Sequence, residues 1–201
     1  IVSLLFIAIA FLREIVFASC FGVTYAVDAY AVAAQIPEAF FFVMCQALGA
    51  IVIPIYSKLM YSDGKCVADK FVSNLINVIS IALFVLIAIC TISSDVLIYI
   101  FAPGLPEETH KLAVSLLRWT LLLFEIIIVI HISVLNVNNV FVRPKLFSGI
   151  RFAVMTLMMI AFYRTIGIYA AVLGWLIGVI IELISYLIIS SKYRVYSFSI
   201  N

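Results

Sequence analysis

Charge is what this chain has least of. Of its 201 residues only 11% are Asp, Glu, Lys or Arg, while 67% are hydrophobic. A water-soluble domain of this length needs far more polar surface than that. The net charge is only +2, and no basic run with interleaved aromatics occurs, so no nucleic-acid partner is expected. Cysteine is sparse and scattered. Cys20, Cys45, Cys66 and Cys90 form no CxxC pair and read as small apolar residues. There is no HExxH, no Cys/His cluster and no Ser/His/Asp pattern. No metal, no cofactor and no covalent catalysis is therefore expected. Ser/Gly linkers and low-complexity tracts are missing too, which makes residues 1–201 a single transmembrane domain. The initiator methionine is also absent. The chain starts at Ile1, so it reads as part of a longer product.

What is present is long apolar sequence. The mean hydropathy is +1.30, and runs of 18 or more apolar residues mark membrane helices. The first run lacks a basic n-region and carries charges inside, so it reads as a span and not as a signal peptide. Six spans are predicted, at about 1–22, 28–57, 71–101, 111–140, 145–164 and 167–191. The fold class is an all-α polytopic membrane protein. Several spans exceed the roughly 20 residues needed to cross hydrocarbon, which implies tilt or projection into the headgroups.

Loop charge predicts the orientation. Lys58, Lys65 and Lys70 follow the second span, Arg143 and Lys145 the fourth, and Lys192 and Arg194 the sixth. The opposite side holds only Lys111 and Arg164. The positive-inside rule then places both ends of the segment in the cytoplasm. The loops carrying Asp28 and the pair Glu107 and Glu108 face outward.

The few charges inside apolar runs carry the functional signal. Arg13, Glu14, Glu38, Arg118, Glu125, Arg151 and Glu182, with His131, lie within or at the edges of spans. A charge at mid-bilayer costs roughly 2.5–3.5 kcal/mol on insertion scales. Asp28, Arg118 and Arg151 stand near span ends, where snorkelling to the headgroups accounts for them. His131 reads as a hydrogen-bonded interior residue. Arg118 and Glu125, two turns apart, are placed to share one polar stripe. Adjacent Arg13 and Glu14 point about 100° apart on a helix and are not expected to pair directly. Arg13 is harder to explain by snorkelling. It sits on the order of 15 Å from either end of its span, and its side chain of roughly 6–7 Å falls short of the headgroups. Ionisable residues on several spans point to a hydrated cavity, with Arg13 the best candidate for an anion contact. Pro37 and Pro54 suggest a bent or broken second helix lining that cavity.

The segment "REIVFASCFGVTYAVDAYAVAAQIP" at 13–37 resembles the MurJ/MviN family of lipid II flippases. Phe21, Gly22, Asp28, Ala29, Tyr30 and Pro37 stand at the family spacing. "IVIPIYSKL" at 51–59, "FAPGL" at 101–105 and "LNVNNVFVRP" at 135–144 follow in the family's order. The resemblance covers most of the chain. It implies the first lobe of a MOP/MATE-like transporter that moves an undecaprenyl-pyrophosphate-linked disaccharide-peptide from the inner to the outer leaflet by alternating access. It also implies a bacterial inner-membrane location and contact with the cell-wall synthesis machinery. On this resemblance Arg13 is a substrate contact, and Glu14, Asp28, Glu125, Asn136 and Asn139 are gating or cavity residues. Asp28 would hold the outward gate closed.

Two departures stand out. The family carries a further arginine about two turns before Arg13, where this chain has Ile7 or a neighbour. It also carries adjacent arginines after the second-helix proline, where this chain has Phe41 and Phe42, which leaves Arg118 or Arg151 as the candidates to compensate. A flippase for another lipid-linked oligosaccharide and a truncated, non-transporting membrane protein remain alternatives. A polyprenyl-phosphate glycosyltransferase fits least, because its acidic loop ligands are missing.

Overall fold

A computed structural model describes residues 2–121 and 125–193. Ile1, positions 122–124 of the fourth predicted span, and Arg194 lie outside the described residues. Those residues form α1 (Val2–Phe21), α2 (Tyr25–Ser62), α3 (Lys65–Ile92), α4 (Ser94–Phe101), α5 (Glu107–Thr120), α6 (Glu125–Val137), α7 (Val142–Ile166) and α8 (Tyr169–Ser190). No strand occurs among them. Six helical stretches are long and apolar enough to cross a membrane. α5 and α6 together make the fourth, Glu107–Val137. The chain is thus an all-α polytopic membrane protein.

Helix ends differ from the sequence expectation where polar residues sit inside terminal turns. α2 starts at Tyr25 because Asp28 lies in its first turn, where a carboxylate favours the positive end of the helix dipole. α3 begins at Lys65, inside the basic stretch that read as loop. It ends at Ile92, since Ser93 interrupts the helix and α4 starts afresh at Ser94. Two polar contacts then hold α4 against α5. Arg118 Nε donates to Ser94 Oγ at 3.0 Å, and His110 Nε2 lies 2.9 Å from Asp95 Oδ1. Arg118 is therefore engaged with α4 and shares no stripe with Glu125. α7 begins at Val142 and carries Pro144 in its first turn, where the missing N–H breaks no helical bond. The α1–α2 turn uses Gly22 at φ 59°, a conformation that a Cβ would strain.

Pro37 does not break α2, which stays helical from Tyr25 to Ser62. A helix-interior proline leaves the carbonyl four residues earlier without its donor. Here that carbonyl belongs to Ala33, and Thr120 Oγ1 of α5 lies 3.2 Å from it. The same hydroxyl is 3.0 Å from the Leu117 carbonyl, so one proton is shared between the two. In lipid such a substitute matters, because no water reaches an orphaned carbonyl. It also fixes the α2–α5 contact, where Ala29 and Ala33 pack on Leu116, Leu117 and Leu121.

Packing divides the helices into two groups. α7 lies between α1 and α8, and α2 lies among α3, α5 and α6. α6 and α8 join the groups through Ile128, Leu135, Val179 and Tyr186. The α5–α6 span is central, with 60% of its apolar window buried, whereas the α1 window buries none. α8 approaches α7 through two glycines one turn apart, Gly174 and Gly178. A Cβ on Gly178 would lie 2.8 Å from the Arg151 carbonyl oxygen and 2.9 Å from its Cα. A Cβ on Gly174 would lie 2.8 Å from Met158 Cβ. Close helix approach over small residues is a principal means of helix association in lipid.

Gly178→Ala should force α8 away from α7 beside Arg151 and cost about 1–3 kcal/mol, read as a lower unfolding temperature in detergent micelles. Gly149→Ala is the control, since its nearest neighbour is Ile9 Cδ1 at an ordinary 3.8 Å. Equal effects at both positions would contradict the glycine-mediated contact.

Candidate functional site

The two helix groups enclose a cavity of about 460 Å³. Val172 on its wall belongs to the apolar cluster of Ala29, Ala33, Ile36, Leu116 and Leu117. The cavity lies at mid-span, where Pro37 and Phe41 of α2 face Ile128 and Val129 of α6. Five acidic or basic side chains line it: Arg13 from α1, Glu38 from α2, Glu125 from α6, Arg151 from α7 and Glu182 from α8. Charges that are costly to place in a bilayer are thus gathered on one cavity wall.

Arg151 is the hub. Its Nη1 donates to Glu125 Oε1, and its Nε stands 3.3 Å from Glu182 Oε2. The Arg151 side chain is 17% exposed, that of Glu182 2% and that of Glu125 32%. Ser148, one turn before Arg151, donates its hydroxyl to the other Glu182 oxygen at 2.9 Å. The glycine contact at Gly178 sets this geometry, because it brings α8 onto the Arg151 backbone. Removing one member of a buried ion pair leaves an uncompensated charge and costs about 3–5 kcal/mol.

Arg13 reaches the same surface from α1. Its guanidinium carbon lies 4.9 Å from the centroid of the Phe152 ring, and that of Arg151 lies 5.4 Å from the same ring. The ring's negative face offsets part of the repulsion between two cations placed close together. Arg13 also donates from Nη2 to Glu14 Oε1. This corrects the expectation that neighbours in sequence do not pair. The Cα–Cβ bonds diverge, but the arginine side chain is long enough to bridge the gap.

The structure brings Arg13 and Glu125 together in one cavity. Glu14, Asp28, Asn136 and Asn139 are not among its lining residues. The Glu14 side chain is 60% exposed beside Arg13. Asp28 is exposed in the first turn of α2. Asn136 lies in the last turn of α6 and Asn139 in the turn that follows it. The Asn139 N–H donates to the Asn136 carbonyl at 3.0 Å, and Asn139 adopts φ 59°, which asparagine tolerates better than most residues. His131 is buried, with Nδ1 2.8 Å from the Ile127 carbonyl. The sequence reading left Arg151 between snorkelling to the headgroups and compensating for the missing arginines, and it overlooked Phe152. Opposite charges on three separate spans, together with the "GWLIG" spacing at 174–178, were the available signals. No group of three or more His, Cys, Asp or Glu placed to hold a metal occurs among the described residues.

Comparisons with known proteins agree with this architecture. The family model described as Lipid II flippase MurJ matches residues 17–197. The Lipid II flippase MurJ of Thermosipho africanus is 33% identical over 187 residues, covering 90% of this chain and 38% of that protein. The Probable lipid II flippase MurJ of Rickettsia prowazekii is 34% identical over 112 residues, covering 54% of this chain and 22% of that protein. A solved structure described as Lipid II flippase MurJ in an inward closed conformation superposes with a TM-score of 0.79 at 29% identity. It covers 99% of this chain and 43% of that one. The chain spans less than half the length of the relatives it matches.

A hydrated cavity predicts selective labelling. In a cysteine-free background, Glu38→Cys and Glu125→Cys should react with a water-soluble thiol reagent much faster than Leu157→Cys, whose side chain is exposed on the apolar exterior of α7. Equal rates would mean that water does not enter the cavity.

Proposed function

Because this chain belongs to the lipid II flippase MurJ family, we propose that it forms the first lobe of a transporter for a pyrophosphate-linked peptidoglycan precursor. On this reading the precursor passes from the inner to the outer leaflet of the bacterial inner membrane by alternating access, without covalent catalysis or a cofactor. The observation that carries it is the Arg13 guanidinium, held mid-span on the wall of a polar cavity. A guanidinium stays charged at every physiological pH and binds phosphate oxygens as a bidentate fork. Asp28, at the outward end of α2, holds the outward gate through polar contacts. Asn136 and Asn139 set the cytoplasmic turn between α6 and α7 and so serve gating by fixing the tilt of α7. Both ends of the segment lie in the cytoplasm, and the cell-wall synthesis machinery is the partner on the outward side.

A second reading has its own support. Phe41 and Phe42 line the cavity where family members carry adjacent arginines. An apolar wall there suits a flippase for a less anionic lipid-linked oligosaccharide.

Complementation of flippase-depleted cells by the native protein tests both readings. Arg13→Ala should abolish growth at normal membrane levels, and Arg13→Lys should support it poorly, because the charge remains but the fork is lost. Normal growth with Arg13→Ala would remove the pyrophosphate role. Failure of the unmodified protein to complement, at normal levels, would favour the second reading or a protein that does not transport.

Orientation has a separate test. Cys66 is exposed at the start of α3, so in intact cells it should resist a membrane-impermeant thiol reagent, while Glu107→Cys should be labelled. The reverse pattern would invert the topology.

A further inference from the structure

The cavity has an internal feature that the family resemblance does not supply, since its second cation comes from α7. We infer that Arg151 is a second diphosphate contact, and that Glu125 occupies it in the empty cavity and yields it to the substrate. This rests on the reading that the cavity receives a diphosphate group.

Three observations lead to it. First, Arg13 and Arg151 flank one ring, at 4.9 and 5.4 Å from the Phe152 centroid. Their guanidinium carbons are therefore no further apart than the sum of those distances. A diphosphate presents two adjacent phosphoryl groups and can offer one to each guanidinium. Second, the carboxylates in the cavity outnumber the cations. Glu38, Glu125 and Glu182 face Arg13 and Arg151, so an anion gains little unless a carboxylate gives way. Third, the two partners of Arg151 differ. Glu182 is 2% exposed and is also held by Ser148 at 2.9 Å, so it stays in place. Glu125 is 32% exposed at the cavity surface and holds the outer nitrogen, Nη1, so it is the partner an incoming phosphate can displace.

Glu182 thus positions Arg151, and Glu125 competes with the substrate for it. Exchange of one ion pair for another costs less than ion-pair formation from water, because the cation is already desolvated and oriented. It also gives the empty cavity a neutralised cation, which limits the penalty of holding Arg151 within the membrane.

The test is binding of a short-chain polyprenyl diphosphate to the intact native protein in detergent micelles, followed by titration calorimetry. Inorganic pyrophosphate forms a parallel arm. Glu125→Gln should bind the lipid diphosphate about three- to tenfold more tightly than the unmodified protein. Arg151→Gln should bind more weakly, and the double variant should match Arg151→Gln, because the gain passes through Arg151. Arg151→Lys replaces Arg151→Gln if the latter does not fold, and the gain from Glu125→Gln should shrink in that background too. The inference is overturned if Glu125→Gln gives no gain or if its gain persists undiminished without Arg151. Arg13→Ala separates the two levels. Loss of binding with Arg13→Ala, without coupling between Glu125 and Arg151, would sink the exchange alone. No binding by the unmodified protein would sink both the exchange and the diphosphate reading. Equal responses in the inorganic arm would assign the contact to free pyrophosphate, and a response confined to the lipid arm would assign it to the lipid-linked group.

Discussion

The arrangement depends on how Arg151 is neutralised. A guanidinium at this depth cannot shed its charge, so the protein must surround it with acceptors. Glu125 comes from α6 and Glu182 from α8, while Arg151 sits on α7. One side chain therefore ties three helices, and Ser148 of α7 adds a second polar link to Glu182 of α8. Its backbone also receives Gly178 of α8 at a distance that excludes a Cβ. Charge and close packing meet at the same residue, and each makes the other possible. The ion pairs require α8 near α7, and the glycines permit that approach.

The rest of the bundle follows the same economy of polar groups. Pro37 frees the Ala33 carbonyl, and a threonine from α5 answers it. Tyr56 of α2 donates to the buried Asp69 of α3 at 2.9 Å, and Tyr186 of α8 donates to the Pro144 carbonyl of α7 at 2.9 Å. Each bond joins different helices. In a bilayer the apolar contacts between helices compete with equally apolar lipid, so such bonds and small-residue contacts select the partners.

The cavity's chemistry is uneven around its wall. Phe41 and Phe42 make its α2 side apolar, while Arg151 supplies a cation from α7. Phe152 then presents its ring to both remaining guanidiniums. An anion-binding surface depends on where charge is placed in space, and different helices can deliver it. The polar residues outside the cavity serve the ends of the bundle, as Asn139 does by accepting a left-handed turn.

By itself, the sequence determined the membrane class, the six apolar spans and the anomaly of Arg13. Those follow from composition and from the length of hydrocarbon a helix must cross, both of which are local properties. Gly22 and Asn139 stood out in the sequence only through the family motifs, and their left-handed backbone emerged with the structure. Helix ends were less legible, since Asp28 and the lysines near Lys65 are compatible with either a loop or a terminal turn. Only the tertiary structure decided which charges share a cavity. Arg118 and Glu125 look like neighbours along one helix, but Arg118 turns to Ser94 while Glu125 meets Arg151, 26 residues away. Arg151 looks like a snorkelling residue until α6 and α8 bring two carboxylates to it. Electrostatic energy depends on distance in space and on the surrounding dielectric, and neither can be read along the chain.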